Sequence, residues 1–105
     1  MHAATTSHGM TPLMYAANSG HAAVVRWLCD AGTPCDAVEH AGNTALHVAA
    51  LNGRVDAVAA LLDAGADHAA RGKDAGYAPL HLGAKMGHAA VALALIARGA
   101  SLEAP

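Results

Sequence analysis

The sequence predicts an all-α chain made of three tandem copies of one two-helix unit, joined by short hairpin loops. Three observations carry that expectation. The run Thr11-Pro12-Leu13-Met14-Tyr15-Ala16-Ala17 returns after 33 residues as Thr44-Ala45-Leu46-His47-Val48-Ala49-Ala50, and after a further 34 as Ala78-Pro79-Leu80-His81-Leu82-Gly83-Ala84. Gly20, Gly53 and Gly87 fall in register, as do Gly32, Gly65 and Gly99. Between those two glycine sets, apolar residues recur at helical spacing.

Each copy opens with a loop ending in Gly9, Gly42 or Gly76, where a residue without Cβ takes the positive φ of a tight turn. A first helix follows at once. Thr11 and Thr44 are N-cap residues, and Pro12 and Pro79 stand at the first helical position, where a missing N–H is no loss. Ala78 has lost the cap, at a cost of about 1 kcal/mol. The first helices stop near Gly20, Gly53 and Gly87. The second helices carry Val24, Val25, Trp27, Leu28 and Cys29; then Ala57, Val58, Ala60, Leu61 and Leu62; then Val91, Ala92, Ala94, Leu95 and Ile96. That spacing makes one broad apolar stripe per helix. Strand content is limited to hairpin arms in the connecting loops.

The odd residue of the 34-residue interval falls between Gly65 and Gly76, most simply Gly72, because a loop absorbs an insertion that would rotate a helix face. The repeats therefore run from about 6 to 38, 39 to 72 and 73 to 105, as a single domain over 1–105. Three is the usual minimum for an array whose units bury their faces against one another.

Period, signature run and paired helices together resemble the ankyrin-repeat family over nearly the whole chain. The resemblance implies an ankyrin-repeat solenoid of stacked helix-turn-helix pairs with short hairpin loops, an L-shaped section and a concave face. It also implies a function, recognition of another protein on that face. The chain departs from the family pattern in several places. Met14 replaces the signature His, Ala45 the Pro, and Ala78 and Gly83 the Thr and Ala. The loop position usually taken by Asn holds Asp36, Ala69 and Glu103. Gly83 inside a short helix costs roughly 1 kcal/mol relative to Ala, so the third repeat is expected to fray first.

Composition narrows the function. Of 105 residues 54% are hydrophobic, yet there is no Phe, one Trp and two Tyr. Much of the remainder is Ala, which lets helices approach closely but buries little area per contact. A net charge of −2, from six Lys and Arg against eight Asp and Glu, gives no footprint for nucleic acid. No apolar run approaches the roughly 18 residues of a membrane span, and residues 1–7 lack the basic and apolar regions of a secretory signal. Cys29 aligns with Leu62 and Ile96 and behaves as a small hydrophobe, whereas Cys35 aligns with His68 and Leu102 in a loop. That register argues against both a disulfide and half a metal site. It predicts a reduced pair in an intracellular, cytoplasmic setting.

Eight histidines invite a metal or catalytic reading. His47 and His81 stand at the family's signature position, where the ring is a structural hydrogen-bonding group, and His21 and His88 follow the helix-breaking glycines. His2, His8, His40 and His68 lie in loops or near the N-terminus. The best metal cluster, Cys35, His40 and His68, is spread over consecutive repeats and does not meet the short spacings of a zinc site. Ser7, Ser19 and Ser101 lack a nucleophile elbow, and no glycine run forms a phosphate loop. No catalytic residue, metal or cofactor is therefore expected.

Transferred onto this chain, the family's variable hairpin-tip and first-helix positions are Ser7, His8, Met10, Asn18 and Ser19 in repeat one. Repeat two contributes His40, Ala41, Asn43, Leu51 and Asn52; repeat three contributes Asp74, Ala75, Tyr77, Lys85 and Met86. Met10, Leu51, Tyr77 and Met86 are apolar where a solvated surface favours charge. Met10 and Leu51 serve equally well as residues packed beneath a hairpin or singly exposed. Tyr77 and Met86 fit partner contacts better. Two alternatives stand beside the interaction module. Neither end looks capped, since Val24 and Trp27 in repeat one and Val91, Leu93 and Ile96 in repeat three are apolar. The chain would then be a piece of a longer array or would self-associate through its ends. Otherwise it is the targeting arm of a larger enzyme.

Overall fold

The computed structural model describes residues 9–39, 42–71 and 76–100. Within them six helices run in order: α1 Pro12–Ser19, α2 Ala22–Asp30, α3 Ala45–Leu51, α4 Val55–Asp63, α5 Pro79–Lys85 and α6 Ala89–Ala97. Among the described residues there is no strand. Glu39 and Asn43 nevertheless pair as in a hairpin, with the Glu39 N–H donating to Asn43 O at 3.0 Å.

Local chemistry starts each first helix. The Thr11 hydroxyl accepts from the Met14 N–H at 3.3 Å, with Pro12 at the first helical position. Thr44 accepts from the His47 N–H at 3.4 Å while His47 Nδ1 accepts from the Thr44 N–H at 3.1 Å, so two otherwise orphaned donors are satisfied reciprocally. Ala78 has no side-chain acceptor. Only the returning half survives there, the Ala78 N–H to His81 Nδ1 at 3.0 Å, and the His81 N–H turns instead to Ala78 O at 3.0 Å.

The glycines between paired helices stop the first and permit the second. Gly20 lies at φ 77°, which frees the His21 N–H to reach Ala16 O at 3.0 Å. Gly53 is doubly constrained. Its φ is 71°, and a Cβ there would come within 2.7 Å of the His88 ring.

Odd and even helices form two layers. α1 packs on α3 and α3 on α5, while α2 packs on α4 and α4 on α6, and each pair closes on itself. Leu13, Met14, Leu46, Leu61, Leu80 and Leu95 fill the seam, with Val25, Val58 and Val91 beside them. Alanines 17, 49, 50, 57 and 60 are fully buried and set the short distance between helices. Gly83 has a packing reason of the same kind, since a Cβ there would meet Val91 Cγ1 at 3.0 Å. Across the even layer, Asp63 receives Arg26 Nη1 at 3.0 Å and Arg98 Nη2 at 2.7 Å, one cation from each neighbouring pair. Arg98 and then Arg26 hold the Asp63 carboxyl below its ordinary range.

The two ends differ from expectation at one residue. Trp27 is 68% exposed and Leu93 67%, and Val24 and Ile96 are exposed with them. Val91, expected on the open face of the third unit, is buried. Its register equivalents are Val24 and Ala57, and Ala57 is buried too: this position faces the preceding unit, which Val91 has and Val24 lacks within the described residues.

Candidate functional site

On the odd layer, helical spacing places residues three and four apart on one face. Asn18 and Ser19 close α1, Leu51 and Asn52 close α3, and Lys85 and Met86 close α5. Stacking of α1, α3 and α5 turns these into two rows, Asn18–Leu51–Lys85 and Ser19–Asn52–Met86. All six are exposed. Of the remaining expected residues, Ser7, His8, His40, Ala41, Asp74 and Ala75 lie outside the described residues.

Backbone-directed hydrogen bonds lock the rows. Arg54 Nε donates to Asn18 O at 2.9 Å, and His88 Nε2 donates to Leu51 O at 3.0 Å. Arg54 and His88 are register equivalents, so α4 and α6 each supply from their N-cap a donor for the C-terminus of the preceding unit's first helix. Asn52 Nδ2 donates to Asn18 Oδ1 at 2.8 Å and to Val48 O at 2.9 Å, which joins two of the expected site residues directly.

The third unit holds the densest cluster. Lys85 Nζ lies 5.1 Å from the Tyr77 ring centroid, a cation–π arrangement, and the Tyr77 and His81 rings are 6.1 Å apart at a tilt of 54°. The Tyr77 backbone is fixed from the neighbouring unit: His47 Nε2 donates to Tyr77 O at 2.8 Å. Because His47 Nδ1 already accepts from the Thr44 N–H, the ring proton sits on Nε2. The ring is 1% exposed, and burial holds its pKa below the usual 6.5 against the opposing pull of the Tyr77 and Ala70 carbonyls.

Two of the expected residues are less exposed. Met10 is half-buried and packs against the core. Asn43 is half-buried, and its N–H donates to Glu39 Oε1 at 2.9 Å, so its backbone serves the hairpin. Two further residues lie beside the expected ones. His81 sits four residues from both Tyr77 and Lys85, and the exposed Tyr15 precedes Asn18 and Ser19 by three and four. Helical spacing places Tyr15 beside Asn18 and Ser19, and His81 beside Lys85, whereas Tyr77 precedes α5.

Among the described residues no three His, Cys, Asp or Glu side chains converge on a point that would hold a metal ion. A groove of about 170 Å³ opens on the other layer, lined by Arg26, Cys29, Asp30, Ala60, Asp63 and Ala64. No helix among the described residues is long and apolar enough to cross a membrane.

Comparison with known families decides the class. A family model of ankyrin repeats in three copies matches residues 1–72 and again residues 31–105. The chain belongs to the ankyrin-repeat family. Ankyrin repeats are generally protein–protein interaction modules and typically non-enzymatic, and the six-helix, two-layer solenoid here is the all-α ankyrin fold. A comparison with curated proteins gave no match.

Proposed function

We propose that this ankyrin chain is a non-enzymatic interaction module, one domain over 1–105, that binds a partner protein on the concave face made by its hairpins and first helices. The observation that carries the reading is the Tyr77–Lys85–Met86 cluster. Tyr77 and Met86 are exposed beside a cation, and the carbonyl of Tyr77 is pinned by a buried histidine of the adjacent repeat. A backbone held this way loses little freedom on binding, so more of the contact energy appears as affinity. Tyr supplies a large rigid contact and Met an adaptable one. Leu51 and Tyr15 extend the surface across repeats two and one. The face is small, and a single partner is held with modest affinity.

The test is a pull-down from cell lysate comparing the native chain with a Tyr77→Glu, Met86→Glu double variant of unchanged circular dichroism. A partner captured by the native chain and lost by the variant supports the face; capture by both sinks it. A second reading rests on Trp27 and Leu93, whose exposure gives apolar ends to the stack. If the ends associate, the sedimenting mass rises with concentration and a Trp27→Arg variant stays monomeric.

A further inference from the structure

The register of Cys29 and Cys35 separates them into a helix position and a loop position, yet their sulfurs lie 3.4 Å apart. The turn after α2 brings this about. The Gly32 N–H donates to Cys29 O at 3.1 Å and the Thr33 N–H to Leu28 O at 3.1 Å, with Gly32 at φ 91°. The chain thereby folds back over the end of its own helix. Pro34, with φ fixed by its ring, then delivers Cys35 to the flank of α2. Both cysteines are free thiols, half-buried, and packed on the edge of the core. At the equivalent positions the other repeats carry Leu62 with His68 and Ile96 with Leu102, so the pair is peculiar to the first repeat.

We infer that Cys29 and Cys35 form a thiol–disulfide exchange site whose substrate is a low-molecular-weight disulfide and whose product is the intramolecular Cys29–Cys35 bond. Bonded sulfurs lie about 2.05 Å apart, so closure needs a further approach of about 1.4 Å, within reach of side-chain rotation. Cys29 lines the groove between α2 and α4 together with Arg26, Asp30 and Asp63, whereas Cys35, half-buried on the loop, lies outside that lining and meets the incoming disulfide from the loop side. Burial, and then the contact with Cys35, push the Cys29 thiol up to about 12, which leaves Cys35 to attack first.

In the first step the Cys35 thiolate attacks one sulfur of the incoming disulfide. A Cys35 mixed disulfide forms and one thiolate leaves. In the second, Cys29 gives its proton to solvent and its sulfur attacks Cys35 Sγ, which expels the second thiolate. The two cysteines lose two electrons and two protons, and the small disulfide is reduced to two thiols. The product staples the end of α2 to the connection that leads into the Glu39–Asn43 hairpin. The site does not depend on the proposed partner-binding face.

The folded chain and the same chain in urea are equilibrated in a buffer of reduced and oxidised glutathione, quenched in acid and weighed intact. The folded chain is expected to lose two hydrogens and carry no glutathione, with an intramolecular equilibrium constant at least about tenfold above that of the unfolded chain. The Cys29→Ser variant, which lacks the resolving sulfur, accumulates one glutathione on Cys35. Two glutathiones on the folded native chain, disulfide-linked dimers as the main product, or equal constants in the folded and unfolded states would each overturn the inference.

Discussion

Replacing His47 by Met is the sharpest test of how the repeats are coupled, because the chain itself carries Met14, fully buried, at the equivalent place in the first repeat. The substitution keeps a long side chain and removes both ring nitrogens. The Thr44 N–H, buried, loses its acceptor, and Tyr77 O, part-buried, loses its donor. Stranding a buried polar group costs about 1–3 kcal/mol, so the two together cost about 3, with the more accessible carbonyl at the low end. Burying thioether in place of imidazole returns about 1 kcal/mol. The net loss is about 2 kcal/mol, a large share of the stability of a small domain. In urea unfolding followed by circular dichroism, with a slope of about 1–2 kcal/mol per molar, the midpoint falls by about 1–2 M. The pH dependence supplies an independent check. Burial holds the His47 pKa below 6.5, so in the window between the two values the unfolded chain binds more protons than the folded one. His47's contribution is therefore complete above pH 6.5 and is lost as the pH falls toward its lowered value. The native–variant difference must shrink over that window. A midpoint shift equivalent to under about 0.5 kcal/mol, or a difference that stays constant from about pH 7 to 5, would refute the assigned hydrogen bonds.

Gly53→Ala combines a left-handed backbone with a collision against the His88 ring, and it destabilises by about 2–3 kcal/mol; Gly65→Ala, at φ 94° with open space, costs only about 1 kcal/mol by thermal or urea unfolding. Ala78→Thr restores the missing hydroxyl acceptor at α5 and raises stability by about 1 kcal/mol on the same assay. The Tyr77→Glu, Met86→Glu variant abolishes partner capture with helix content intact. Trp27→Arg removes any rise of sedimenting mass with concentration.

Features set by a residue and its immediate neighbours were legible in the sequence. Thr11, Thr44, Pro12 and Pro79 begin helices, and Gly20, Gly53 and Gly87 lie just beyond their ends, because capping and left-handed φ are local requirements. Legibility failed wherever two units meet. A helical stripe tells that Val91 is apolar but not which neighbour it faces, and only the stacking direction buries it. Arg54 and His88 reach carbonyls 36 and 37 residues away, a partnership no local pattern encodes. Cys29 and Cys35 were assigned correct elements, but the separation of their sulfurs depends on the turn at Gly32. On the candidate face, Tyr77, Lys85 and Met86, picked by family register, stand exposed, whereas Met10 is half-buried against the core and the Asn43 N–H is held by Glu39, contacts that register alone does not encode.

The hydrogen bonds from Arg54 to α1 and from His88 to α3 also bear on how the chain is made. During synthesis the first repeat leaves the ribosome with the carbonyl at the end of its leading helix still open to water, and the donor that closes it lies 36 residues downstream. The second repeat then waits in the same way for His88. Each of the first two units is completed by the one that follows, so neither can close its own hydrogen bonds until its successor has been made.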